Sequence, residues 1–299
     1  MEALRSMLFT PGHRMDLIEK AIRSGTDAVI IDIEDAVALD QKPTARALLE
    51  QLPDSPVPLF VRTNAVETGL MWDDVVAAGS SPSVAGIVIP KAEYPDLIRE
   101  VDGALRALEM STGQTVGSKG VIPLIESGLG IRNTYDMAVA SDRVECVMFG
   151  GGEQGDLVAD LGCEWTPEGT GLMHARASML LQSRAAGIEH PFEAVFMDFR
   201  NHDALRVESE LARRLGYVGK VAIHPAQVAV INDVFTPAPE VVEYQRKVLA
   251  AFEQALEEGS ASIAVDGKMV DYAVARVARV IIARAEAAAR AEARVGGDA

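Results

Sequence analysis

The residues able to do chemistry follow short apolar runs. The first run ends in Thr10-Pro11-Gly12-His13-Arg14 and the second in Asp32-Ile33-Glu34-Asp35. Later runs end in Arg62-Thr63-Asn64, in Pro90-Lys91 and in Glu126-Ser127. A sixth opens into Gly150-Gly151-Gly152-Glu153-Gln154-Gly155-Asp156, and the last two end in Asp198 and His224-Pro225. Carboxylates in oxygen-rich surroundings suit Mg²⁺ or Mn²⁺, and Mg²⁺ takes one or two of them while keeping positions for water and substrate. Glu126 and Asp156, at the ends of consecutive runs, fit that role; equally, either can form an internal ion pair with Arg62 or Lys91. No HExxH spacing or cysteine cluster speaks for zinc. The Arg62 fork matches a small carboxylate, or else a structural partner in Asp32 or Glu34. The glycines at 150–152 and 155 permit close backbone approach, but GGGEQG is neither GxGxxG nor a Walker loop. His224 is a base or a hydrogen-bonded core residue. No Ser/His/Asp or Cys/His order stands out.

The elements that must position these groups are eight short runs, predicted as strands at 6–10, 28–34, 58–63, 84–90, 120–126, 144–150, 192–198 and 219–224. Amphipathic stretches such as 14–24, 95–109, 170–186 and 203–214 read as helices between them. Runs such as VAGIVIP and KGVIPLI are apolar throughout, as strands covered on both faces are. Eight β/α units in succession predict an α/β fold, a closed (β/α)₈ TIM barrel over residues 1–236, with its active site at the C-terminal strand ends. TPAP then breaks the chain. A helix restarts near Glu240 and runs toward Glu258, SIAVDGKMVD is irregular or hairpin-like, and 272–292 forms a last helix. Residues 237–299 thus read as a helical appendage whose tail, RVGGDA, frays.

Composition narrows the function. The chain has 299 residues, 48% hydrophobic and 24% charged, with a formal net charge of −16. That charge argues against nucleic acid and against anionic membranes. An anionic substrate would need a local basic pocket. Two cysteines outside any CxxC pair suit a reduced, cytoplasmic protein. The N-terminus lacks the apolar core of a signal peptide, and no apolar run approaches the ~18 residues of a membrane span.

The ordered strings SMLFTPGHR, DAVIIDIEDAV, KPTAR, VRTNA, IVIPKAE, PLIES, GDLVADLG, TPEG, IHPAQV and VDGKMVD resemble the HpcH/HpaI aldolase and citrate lyase beta-subunit superfamily. The likeness is strongest to stand-alone malyl-CoA and citramalyl-CoA lyases and covers nearly the whole chain. It implies a barrel with a C-terminal helical lid, assembled as a homotrimer or homohexamer. It implies Mg²⁺ on Glu126 and Asp156, with Arg62 gripping a 2-oxo acid. Asp32, Glu34 and Asp35 would organise Arg62 and the metal waters, with Lys91 in the substrate-binding set. Asp271 of VDGKMVD would handle a proton across a subunit boundary. Arg14, Lys42 and Arg46 are candidates for coenzyme A phosphates, or plain surface charges. The implied reaction cleaves or forms a 3-hydroxyacyl-CoA, giving acetyl-CoA and glyoxylate or pyruvate. The alternatives are a thioester hydrolase on the same scaffold and a citrate-lyase-type subunit needing an acyl-carrier partner. One departure stands out. The family pattern FGAED before LAADLG is FGGGEQGDLVADLG here. Reading back from ADLG places Asp156 at the ligand position, whereas reading on from FG places Glu153 there.

Overall fold

A computed structural model describes residues 4–166 and 168–296. Eight parallel strands close into one barrel in sequence order: β1 Ser6–Pro11, β2 Ala28–Asp32, β3 Leu59–Arg62, β4 Val84–Ile89, β5 Gly120–Ile125, β6 Cys146–Phe149, β7 His190–Glu193 and β8 Gly219–Ala222. The barrel helices are α1 Met15–Ile22, α2 Lys42–Leu48, α3 Met71–Ser80, α4 Pro95–Thr112, α5 Gly128–Arg132, α6 Thr134–Ala138, α7 Asp156–Leu161, α8 Met173–Ala185, α9 His202–Leu215 and α10 Pro225–Phe235. The (β/α)₈ barrel expected from the apolar runs is therefore the observed architecture.

Strand alternation sets what points inward. Met7, Ala28, Ile30, Phe60, Val88, Ile122, Leu124, Cys146, Met148, Phe192 and Val221 pack together in the buried barrel interior. Side chains two positions on share a face. The series Ala28–Ile30 thus continues to Asp32, Phe60 to Arg62, and Ile122–Leu124 to Glu126. Register does the rest, since β1 to β3 pair Pro11 with Asp32 and Asp32 with Arg62. Three polar residues therefore crown an apolar interior at the C-terminal rim.

Several strands end sooner than their apolar runs, and in two of them the cause is visible. β2 stops at Asp32 because its carboxylate accepts from the Glu34 and Ala36 N–H groups at 2.9 and 3.1 Å, turning the chain. β7 begins at His190 and stops at Glu193 rather than running from 192 to 198. Beyond it, buried side chains take over from the ladder: Lys220 Nζ donates to the Ala194 carbonyl at 2.6 Å and Gln227 Nε2 to that of Phe196 at 2.7 Å.

The described residues from Thr236 onward form a second compact unit. Helix α11 Pro239–Glu257 starts with proline in its first turn. A hairpin follows, β9 Ile263–Val265 and β10 Lys268–Val270, turned by Asp266 and Gly267 with φ of 49° and 74°. Two positive φ angles at a two-residue turn match strand twist. Helix α12 Tyr272–Gly296 closes the unit, whose core holds Val248, Phe252, Val265, Val270, Ala275 and Ala278. The helix runs past the expected end at 292, and residues 297–299 of the tail lie outside the described residues. No helix among the described residues is long and apolar enough to cross a membrane.

Candidate active site

The rim of the barrel collects carboxylates around two cations. Arg62 donates through Nε and another guanidinium nitrogen, both at 2.7 Å, to the two oxygens of Asp32. Its remaining nitrogen lies 3.1 Å from Glu34 and 3.8 Å from Asp35. The guanidinium also stacks 4.7 Å from the centre of the Phe9 ring. Burial opposes the Arg62 charge, but Asp32, Glu34 and Glu126 hold it above the usual arginine range. The fork is thus spent on Asp32. Of the two readings open for the fork, the structural partner is the one seen, and a substrate carboxylate would meet a guanidinium already paired with Asp32 and Glu34.

Glu126 follows β5, and its Oε2 accepts the Lys91 N–H at 3.0 Å. Gly150 makes room for it: a Cβ there would meet Glu126 Cγ at 2.3 Å and the Ile125 carbonyl at 2.8 Å. Asp156 opens α7, and Lys91 Nζ lies 3.3 Å from it and 3.9 Å from Glu34. Burial pushes the Glu126 carboxyl up to about 7, aided by Asp156 and opposed by the Lys91 N–H and Arg62. Burial pushes Glu34 to about 8, with Asp35 and Glu126 adding and Arg62 and Lys91 subtracting. Glu34 Oε2 also lacks a hydrogen-bond partner despite its ion pair. Among the described residues, Asp32, Glu34, Asp35, Glu126 and Asp156 therefore face two cations, Arg62 and Lys91, and the pocket is short of positive charge. A divalent cation would supply what is missing. Among the described residues no three His, Cys, Asp or Glu side chains form a cage, and Mg²⁺ needs only one or two carboxylates.

The other expected residues divide. Lys42 is buried and donates to the Ile33 and Glu34 carbonyls, at 2.8 and 3.0 Å, and to Asn64 Oδ1. Its three donors are used, so the expected phosphate contact is corrected to an anchor behind the acidic turn. Arg46 donates to buried Asp74 at 2.6 Å and to the Leu70 carbonyl, with Asp73 3.5 Å away, so it too is committed to packing. Arg14 is exposed and pairs with Asp16 at 2.8 Å, leaving it accessible to a phosphate. Asp271 caps α12, its Oδ1 accepting from Ala273 and Val274 at 2.9 and 3.1 Å.

A cavity of ≈ 190 Å³ opens at this rim, lined by Arg62, Glu126 and Glu153 and by apolar residues that include Phe9, Met148 and Val195. Sequence reasoning missed these apolar walls, although Phe9 lies two positions from inward-facing Met7. A larger cavity, ≈ 460 Å³, lies by the N-terminal ends of β6 and β7 among Asp142, Glu145 and Glu189. That end of a parallel barrel serves stability rather than chemistry, and none of the groups above reaches it. Glu153 lines the smaller cavity, whereas Asp156 is the loop carboxylate whose charge acts on Glu126.

Comparison with known proteins identifies the family. Residues 5–225 match the family model for HpcH/HpaI aldolase/citrate lyase. The chain is 33% identical over 288 residues to the citrate lyase subunit beta of Escherichia coli, covering 94% of this chain and 93% of that protein. It is 33% identical over 307 residues to the L-malyl-CoA/beta-methylmalyl-CoA lyase of Rhodobacter capsulatus, covering 95% of each. Among solved structures, protein CitE of Mycobacterium tuberculosis, in complex with magnesium, acetoacetate and coenzyme A, superposes with a TM-score of 0.75. That match has 30% identity and covers 95% of this chain and 98% of that one. The chain belongs to the HpcH/HpaI aldolase/citrate lyase family and is, like these relatives, a lyase.

Proposed function

We propose that the chain is a Mg²⁺-dependent carbon–carbon lyase acting on a 3-hydroxyacyl-CoA such as malyl-CoA or citramalyl-CoA, with acetyl-CoA and glyoxylate or pyruvate as the cleaved partners. One observation carries this reading. Glu126 and Asp156 stand at successive strand ends, both held by Lys91, in a pocket with more carboxylates than cations. An oxygen-only donor set suits Mg²⁺ and also Mn²⁺. When bound there, the metal supplies a Lewis acid for the substrate oxygen whose charge changes.

The chain's own residues do the remaining work. Asp32 and Phe9 fix the Arg62 guanidinium at the cavity, where its charge orients the carboxylate of the 2-oxo acid. The 3-hydroxyl passes its proton to water in the pocket and becomes the carbonyl of the 2-oxo acid, and this loss balances the proton that the acetyl carbon gains. The bonding pair of the broken carbon–carbon bond passes to the acetyl carbon, and Asp271 returns a proton to it. Residues 237–299 act as a lid that keeps water from the acetyl-CoA enolate, and trimers or hexamers bring Asp271 to a neighbouring barrel. Arg14 remains the candidate for a coenzyme A phosphate. The protein works in the cytoplasm, in keeping with its cysteines.

The equal identity to a citrate lyase beta subunit favours a second reading, in which the thioester is carried by a partner acyl-carrier protein. Replacement of Glu126 by Gln tests the first. The variant should melt like the parent and lose all Mg²⁺-stimulated turnover of free CoA thioesters. Metal-stimulated turnover that survives in Glu126→Gln would remove Glu126 from the metal site. A parent inactive on CoA thioesters but active on an acyl-carrier thioester would favour the second reading.

A further inference from the structure

Lys91 touches both candidate metal ligands with different atoms. Its backbone N–H donates to Glu126, while its ammonium lies 3.3 Å from Asp156 and 3.9 Å from Glu34. The residue has φ of 49°, one of few non-glycine residues in the left-handed region. That conformation is unfavourable for a residue with a Cβ, and glycine would adopt it freely. Two bonds across to the next strand hold it, Lys91 N–H to Glu126 and Ala92 N–H to the Leu124 carbonyl at 3.1 Å. A strained turn carrying a lysine, where glycine would serve the backbone better, points to the side chain.

We propose that the Lys91 ammonium is an internal stand-in for the metal, occupying the carboxylate cluster until a divalent cation displaces it from Asp156. This rests on the reading that Glu126 and Asp156 hold the metal. Metal arriving between them breaks the Lys91–Asp156 pair and leaves an ammonium beside a dication. Both effects weaken metal binding, and in the empty site the ammonium reduces repulsion among the acids. Lys91 thus sets metal affinity downward without being a ligand. The ammonium is 40% exposed and the Asp156 carboxylate 55%, so water damps the effect to that of a partly solvated ion pair.

Calorimetric titration of the full-length protein with MgCl₂ tests this. Lys91→Met keeps the stem and the backbone strain but removes the charge, and it should bind Mg²⁺ about fivefold more tightly than the parent. Lys91→Arg keeps the charge and should bind like the parent. Raising the salt concentration should shrink the difference between Lys91→Met and the parent. Lys91→Gln repeats the neutral substitution should Lys91→Met fold poorly. Neutral variants that bind Mg²⁺ no more tightly than a metal-binding parent would overturn the proposal while leaving the metal site standing. A parent without Mg²⁺ binding, or a Glu126→Gln variant that binds as well as the parent, would overturn the metal site and this proposal with it.

Discussion

Metal binding should depend steeply on pH, because a ligand carboxylate must lose its proton first. Burial pushes Glu126 up to about 7 in the metal-free protein. At pH 6 only about a tenth of the molecules then carry the ionised form, and at pH 8 about nine-tenths do. Apparent Mg²⁺ affinity should therefore fall about tenfold from pH 8 to pH 6, and about tenfold per unit below that. Calorimetry in buffers of different ionisation enthalpy should detect release of nearly one proton per metal at pH 6. Glu34, pushed to about 8, adds its own proton above neutrality, so Glu34→Gln should keep the dependence below pH 7. Stability should run the other way. Carboxyls with raised pKa values bind more protons in the folded state than in the unfolded one, where Glu titrates near 4.5. The metal-free protein should thus gain stability as pH falls from 8 toward 5. Affinity that stays constant between pH 6 and 8 would refute the assignment of Glu126 as a buried ligand.

Three further outcomes bear on individual residues. Asp156→Asn should abolish Mg²⁺ binding while Glu153→Gln retains it, and calorimetry giving the reverse would move the ligand to Glu153. Arg62→Lys should lower the melting temperature, because one ammonium cannot replace two 2.7 Å bonds to Asp32, a loss of about 1–3 kcal/mol. It should also weaken glyoxylate and pyruvate binding in titrations, and unchanged affinity for both would leave Arg62 structural. Asp271→Asn keeps a residue that caps helices well, so the melt should hold while carbon–carbon cleavage falls about 10²–10⁴-fold. Partial rescue on mixing with Arg62→Ala would place Asp271 over a neighbour's barrel, and parent-like turnover would remove it from the mechanism.

The positions most legible in the sequence are those set by alternation. Asp32, Arg62 and Glu126 each continue an inward-facing series by two, so apolar runs ending in charge located the rim directly. The hairpin between α11 and α12 was one of two readings, irregular or hairpin-like, and the positive φ angles of Asp266 and Gly267 are those of a tight turn. Lys42 and Arg46 were not. A lysine in KPTAR looks solvated, and only the folded chain shows its ammonium buried between two carbonyls and Asn64. The commitment of the Arg62 fork to Asp32 was likewise one of two open readings until register paired them. The early end of β7 escaped notice because the bonds that replace its ladder come from Lys220 and Gln227, far along the chain.

The central claim is metal-dependent cleavage or formation of a carbon–carbon bond. Mass spectrometry of the purified protein with malyl-CoA and citramalyl-CoA, and separately with acetyl-CoA plus glyoxylate or pyruvate, tests it most directly. With Mg²⁺ present, at least one pair should interconvert, with acetyl-CoA appearing from the longer thioester and disappearing in the reverse direction, and EDTA should stop both. Free coenzyme A and an intact hydroxy diacid as the only products would instead show a thioester hydrolase and contradict the account.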